Sequence, residues 1–215
     1  MPHTRSNSLS RDRIVAAAVA LADSGGFESL SMRALADELN TAPMSLYRHV
    51  ANKEDMLDEM VDVVFAEMYV PGIGGDWKTE LRGRGISARA ALLRHRWAIG
   101  RMEDRMNPGP ASAKHHNATM GCLREAGFAF RDAVHAYSVL DSYTYGFTLQ
   151  EKASPFETPE QSAEMAKATV GETGTMYPYL AEVVVEFAND GYNYSEEFRF
   201  GLDLILEGLE RFLGP

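Results

Sequence analysis

SMRALADELNTAPMSLYRHVANKEDML, residues 31–57, is the stretch that decides the fold. It holds two short helical patterns joined by three or four residues. The first places Met32, Leu35, Ala36 and Leu39 on one face, behind a Ser31 able to accept from an unpaired N–H of the first turn. Asn40 tolerates the left-handed backbone that ends a helix. Pro43 suits a first helical turn, because its missing N–H would be unpaired there anyway. The spacing therefore predicts a third helix from Pro43 to about Val50. Leu46 and Val50 point inward; Ser45, Tyr47, Arg48 and His49 point outward. Helices this short are marginal in water, so they must lean on a neighbour. Upstream, Ser10 caps a helix carrying Ile14, Ala17, Ala18 and Leu21, and Gly25-Gly26 stops it. Downstream, Asn52 caps a fourth helix with Glu54 and Asp55 in its first turn, where acids suit the dipole. Its apolar stripe is Met56, Leu57, Met60, Val61, Val64, Phe65 and Met68.

Three helices that prop the third outward make a helix-turn-helix unit. A helix fits the B-form major groove, and its first residues reach base edges. Its N-terminus also aims unpaired N–H groups at phosphates. The competing reading is a plain helical hairpin inside an all-helical core, with Tyr47 and His49 as ordinary surface residues.

The rest of the chain also reads as helix. Alternating β-branched runs closed by Asn-Gly or Asp-Gly turns are missing. Helices are expected near 77–84, 87–104, 112–126, 130–152, 160–170, 178–190 and 195–213. Breaks fall at 71–75, 107–110 and 155–159. The predicted fold class is all-α: a disordered arm at 1–9, a helix-turn-helix DNA-binding domain at 10–55, and a helical body at 56–215, for which the family resemblance described below implies ligand binding and dimerisation.

Composition narrows the partners. The net charge of −10 argues against a general polyanion binder. Residues 1–53 hold six basic and five acidic side chains, whereas the remainder holds fifteen and twenty-six. A near-neutral head on an acidic body is compatible with DNA binding where the few cations share one surface. The longest strongly apolar run, 14–22, is far too short to span a membrane. The single cysteine, Cys122, allows no internal disulfide. A soluble cytoplasmic protein is the expectation.

With these residues in place, the chain resembles the TetR family of repressors. The resemblance is carried by the helix from Arg13 to Ala22, then Gly25-Gly-Phe27 and Ser31-x-Arg33-x-Leu35-Ala36-x-x-Leu39. Leu46-Tyr47-x-His49-Val50 and Asn52-Lys53-x-x-x-Leu57 complete it. It implies DNA contacts at Arg33, Thr41, Ala42, Met44, Ser45, Tyr47, Arg48, His49 and Lys53. Tyr47 and Lys53 would hold phosphates; Arg33 and the early third-helix residues would read bases. Ala42, Pro43 and Met44 are apolar where polar base readers are common, which shifts readout toward Arg33, Arg48 and contact with thymine methyls.

Past residue 60 the chain looks like the tetracycline-repressor branch. Trp77-x-x-x-Leu81-Arg82, Leu92-Leu93-x-His95-Arg96, Gly127-Phe128, the helix with Tyr137, and Gly146-Phe147-x-Leu149 carry that likeness. It implies a ligand cavity near Met68, Tyr69, Arg84, Ala88, Met102, Val134, Tyr137, Asp141 and Gln150. Met102 replaces the branch's magnesium-ligating histidine, and Gln150 replaces an acid that supports the metal. A thioether is a poor magnesium ligand and an amide carries no charge, so a magnesium–tetracycline complex is not expected. An apolar or aromatic effector is, with a cationic group facing Asp141. The competing reading makes these residues ordinary core. His115-His116 resembles a metal pair, but neighbouring side chains on a helix point about 100° apart. No metal and no cofactor is assigned.

The same resemblance implies a homodimer through two long helices of each chain, with Tyr143, Phe147, Phe198, Leu202, Ile205, Leu206 and Leu209 at the interface. An intramolecular core is the alternative for that stripe. The expected partners are double-stranded operator DNA, a small-molecule effector and a second copy of the chain, with no membrane. An enzyme built on a helical bundle is the other class. It lacks support: the sequence has no Glu-x-x-His pair, Gly-rich phosphate loop, Cys/His metal spacing or Gly-x-Ser-x-Gly elbow.

Overall fold

Sequential caps divide the head as its sequence predicts. In the computed structural model, which describes residues 9–102, 108–153, 164, 176–190 and 193–213, α1 runs Arg11–Gly25 with the Ser10 hydroxyl accepting from the Arg13 N–H. Gly26 ends it at φ 75°, a left-handed backbone open to glycine. A single 3-10 turn, Phe27–Ser29, leads to α2, Met32–Glu38, where Ser31 accepts from the Ala34 N–H. Asn40 takes the left-handed exit at φ 52°. Helix α3, Pro43–Leu46, follows with proline in its first turn. It is shorter than the sequence suggests. Beyond Leu46 the chain tightens into i→i+3 bonds, such as His49 N–H to Leu46 O at 2.9 Å, a common way for a short helix to end. Asn52 then caps α4, Lys53–Ala66, accepting from the Asp55 N–H.

The body holds α5, Trp77–Arg94; α6, Pro110–Glu125; α7, Phe130–Ala153; α8, Pro178–Asp190; and α9, Tyr194–Glu210. The expected break between 84 and 87 does not exist, and the helix drawn from 87 to 104 ends at Arg94. Two glycines sit in this stretch against other elements. A Cβ on Gly85 would meet Leu202 Cδ2 at 2.9 Å, and one on Gly83 would meet the Tyr69 ring at 3.4 Å. They permit close helix packing inside a continuous α5. After Arg94 the chain turns through a 3-10 segment, Ile99–Arg101. The helix expected at 160–170 and the loop at 155–159 lie outside the described residues, as does most of the terminal arm.

Two apolar cores result. One joins α1 through α4 to the end of α5 and the segment up to Met102. The other sits between α5, α6, α7 and α9. All seven residues of the α4 stripe are buried, so α4 belongs to the head at its start and to the body at its end. It crosses the expected 55/56 domain boundary without interruption. Among the described residues no helix is long and apolar enough to cross a membrane.

The second core corrects the interface reading. Phe198, Leu202, Leu206 and Leu209 are buried within the single chain. Tyr143 stacks on Phe198 with ring centroids 5.4 Å apart and donates its hydroxyl to the Phe198 carbonyl at 3.0 Å. Phe147 meets the same ring edge-on at 5.3 Å. Tyr143, Phe147 and Ile205 are half-buried. This stripe of α9 fills the monomer, because α5 and α7 already offer it an apolar trough. Apolar side chains left in solvent on these helices include Phe200 and Leu204 on α9, and Phe130, Val134, Val139 and Leu149 on α7.

Candidate functional site

The head presents α3 as a propped tip. Leu46 is 0% exposed and Val50 is buried, whereas Tyr47 is 46% exposed and Met44 74%. Arg33, Ala42, Arg48 and Lys53 are also exposed; Thr41, Ser45 and His49 are half-buried. All nine residues expected at DNA therefore lie at the surface in or around one short stretch of backbone. Lys53 leans over the Phe27 ring, 5.4 Å from its centroid, which orients its ammonium without sealing it. One brace escaped the sequence reading. Arg11 on α1 bonds Asp55 at 2.9 Å, pairs with Glu59, and donates to the His49 carbonyl at 3.2 Å. It ties the end of the recognition segment to α1 and α4 together. Its hydrogen bond to Glu59, against the small cost of burial, holds its pKa above the usual range.

Below the head, α4 is gripped from the body side. Asp62 accepts from the Ala111 and Ser112 N–H groups at 3.1 and 2.8 Å, capping the start of α6. Glu67 bonds Arg94 at 2.6 Å, and that bond lowers the Glu67 pKa. The His95 ring sits between Glu67 (3.2 Å) and Asp23 of α1 (2.9 Å), and Trp97 Nε1 donates to the same Asp23 at 2.7 Å. Head, α4 and body are thus joined by polar contacts as well as by apolar ones.

Inside the body lies a buried polar cluster. Arg84 (2% exposed) bonds Asp141 (5% exposed) at 2.5 Å, joining α5 to α7. Burial works against the Arg84 charge, but the Asp141 carboxylate outweighs it and raises the pKa. The guanidinium stands 5.4 Å from the Tyr137 ring. Next come His116, 5.5 Å from Tyr137, and Phe65 of α4, 5.4 Å from His116 and 5.5 Å from His115. His115 is 1% exposed, with the Tyr69 backbone beside its ring. Burial, helped by the nearby Arg84 charge, drives its pKa from 6.5 to about 3, so the ring is neutral. Arg84 Nε and Asp141 Oδ2 are buried without partners.

Of the ligand residues expected from sequence, Arg84, Tyr137 and Asp141 meet in this cluster. Met68, Ala88 and Met102 are buried in the adjoining apolar core. Three others stand apart. Tyr69 is exposed and donates its hydroxyl to Glu80 at 2.6 Å. Val134 is exposed in the second turn of α7. Gln150 is exposed because nine residues of helix place it half a turn from Asp141. The expected cationic group facing Asp141 is also corrected, since Arg84 already neutralises that carboxylate. Sequence reasoning placed the helix of α6 but missed its part in this cluster. Its buried stripe Ser112, His115, Thr119, Cys122 recurs at i, i+3, i+7 and i+10, a helical period written in small or polar residues instead of aliphatic ones.

Keeping His115 neutral has a measurable consequence. Its folded-state pKa lies below the unfolded one, so its contribution is complete above about pH 6.5 and is lost as pH falls toward about 3. Between about pH 6.5 and pH 5 the native chain should lose roughly 2 kcal/mol that a His115→Leu variant keeps. Urea unfolding of both proteins at the two pH values measures this. Parallel losses in the two proteins would mean that the ring is not buried uncharged.

Comparison with known proteins places both halves. A family model described as "Bacterial regulatory proteins, tetR family" matches residues 14–60, and one described as "Tetracyclin repressor-like, C-terminal domain" matches 71–213. An HTH-type transcriptional regulator of Saccharopolyspora erythraea is 32% identical over 211 residues, covering 96% of this chain and 86% of that protein. The class A tetracycline repressor protein from transposon 1721, of Escherichia coli, is 30% identical over 206 residues, covering 94% and 91%. Among solved structures, Streptomyces coelicolor ActR in complex with actinorhodin superposes with a TM-score of 0.81 at 29% identity, covering 96% of this chain and 97% of that one.

Proposed function

Because the chain belongs to the TetR family, it is a DNA-binding transcriptional regulator and not an enzyme, and we propose that it represses from a palindromic operator as a homodimer and is released by a small aromatic effector held in the body. The observation that carries this reading is the propped tip: Leu46 and Val50 are sealed while Met44, Tyr47 and Arg48 project. Residues 10–55 supply the DNA-binding unit and 56–215 the ligand-binding and dimerisation unit, with a cytoplasmic location to match a DNA partner. Two copies would set their α3 helices about 34 Å apart, one turn of duplex. Uncovered apolar side chains on Tyr179, Leu180, Val183 and Val185 of α8, and on Phe200 and Leu204 of α9, support a second copy.

Helix α4 supplies the coupling. Met56 and Leu57 pack under the head, while Phe65 touches His115 and His116. An effector that shifts Phe65 tilts the element on which the head rests. Linkage then requires that DNA weaken the effector as much as the effector weakens DNA. That ActR has been solved in complex with actinorhodin supports a small-molecule effector here.

The test begins with selection from random duplexes by the purified protein, followed by sequencing. A two-fold symmetric consensus is expected. Lys53→Ala should then weaken binding about equally on all sequences and flatten the salt dependence by about one phosphate contact. Arg33→Ala should weaken the consensus more than unrelated duplex. Failure to retain any duplex at low salt would overturn the proposal.

A further inference from the structure

Arg11 breaks a local rule. It is the first residue of α1, where the helix dipole disfavours a cation. Its side chain turns away from its own helix toward partners 38, 44 and 48 positions along the chain. Nε donates to Glu59, Nη1 to the His49 carbonyl at 3.2 Å, and Nη2 to Asp55 at 2.9 Å. Each nitrogen of the guanidinium thus holds a different partner. A residue that is unfavourable in its own helix, yet fully engaged with other elements, points to a role in those elements.

The three partners surround the connection between α3 and α4. Asp55 Oδ2 also accepts from the Ala51 N–H at 3.0 Å, and Asn52 Oδ1 accepts from the Asp55 N–H at 2.8 Å. One guanidinium–carboxylate pair therefore fixes both the His49 carbonyl and the Ala51 N–H against α1 and α4. Tyr47 stands just before this clamp and Lys53 just after it. These are the two side chains expected at phosphates. The side chains of Arg11 and Asp55 are 44% and 33% exposed, and ion pairs so open contribute little to stability. What the clamp supplies is geometry. A planar guanidinium fixes direction as well as distance, which an ammonium does not.

Resting on the DNA-binding face described above, we propose that Arg11 is a positioning residue for operator binding. It locks the connection from His49 to Asn52, so that Tyr47 and Lys53 grip the duplex as one unit, and it touches no DNA itself. Its one positive charge is faced by the two negative charges of Asp55 and Glu59, so a phosphate is not drawn to it. Without the clamp, the connection must be ordered at the moment of binding, and affinity falls by the entropy of that ordering.

Anisotropy with the selected duplex tests this on the native chain, Arg11→Lys, Lys53→Ala and the double variant, with urea unfolding of each as the control. Arg11→Lys keeps the charge and its attraction to Asp55 and Glu59 but cannot hold three acceptors. It should weaken binding about tenfold with an unchanged urea midpoint. In the double variant the loss should fall short of the product of the two single losses by at least about threefold, because a Lys53 no longer held in register has less to lose. Glu59→Ala supplies a second arm, decisive even where Arg11→Lys lowers the urea midpoint. Deleting an acid strengthens DNA binding when charge alone matters. Deleting an anchor of the clamp weakens it, and weaker binding is the expected result. Native-like affinity of Arg11→Lys, single losses that simply multiply, or tighter binding by Glu59→Ala would each overturn the positioning role while leaving the DNA-binding face intact. A native chain that retains no duplex removes that face instead.

Discussion

An Arg84→Leu variant is expected to unfold about 3–5 kcal/mol more easily than the native chain. Arg84 and Asp141 are sealed together at 2.5 Å. Removing the guanidinium leaves a carboxylate with no counter-charge in a space closed to water. The intact pair contributes far less than this loss suggests, since both groups were desolvated to form it. The double variant Arg84→Leu/Asp141→Leu should therefore recover most of the stability. Urea midpoints for the single and double variants measure both changes. A single variant as stable as the native chain would show that Asp141 reaches solvent.

The same pair marks where the sequence stops being readable. In the head, structure follows local rules. Ser10, Ser31 and Asn52 cap as residue type predicts, and Asn40 takes the left-handed turn. Each of those features depends on residues within a few positions of each other, so one stretch of sequence is enough. The body depends on contacts between distant helices. Gly83 and Gly85 act as spaces for Tyr69 and Leu202, partners 14 and 117 positions away, which no local pattern announces. The α9 stripe reads from sequence as interface with core as the alternative; the presence of α5 and α7 beside it makes it core. Asp141 reads as a free anion until Arg84, 57 residues earlier, is placed against it. His115 was discounted because adjacent histidines diverge on a helix. That divergence is real, and it sends the His115 ring into the interior and leaves His116 half-buried.

Leu46→Ala should abolish specific DNA binding while leaving the body folded. Leu46 is the one buried side chain of α3, a helix of four residues. So short a segment has almost no helical stability of its own. Its orientation therefore depends on this leucine, which joins the core formed by α1, α2 and α4. Truncating a fully buried leucine costs about 2–5 kcal/mol. In a helix packed on all sides that penalty falls on the whole domain. Here it acts first on the docking of α3, because Tyr47 through Val50 follow as a turn tethered by the buried Val50 and by the Arg11 bond to the His49 carbonyl. Apparent affinity scales with the fraction of heads in which α3 is docked, so undocking by about 3 kcal/mol lowers it by up to about a hundredfold. Met44→Ala provides the contrast. Met44 projects into solvent, so its loss should leave stability unchanged and alter only the preference at the base it meets. Two measurements separate these cases: duplex affinity, and hydrogen exchange of the head and body amides. Fast exchange confined to residues near α3, together with lost affinity, is the expected pattern for Leu46→Ala. Native-like affinity in that variant would show that α3 holds its position by some means other than this single apolar anchor.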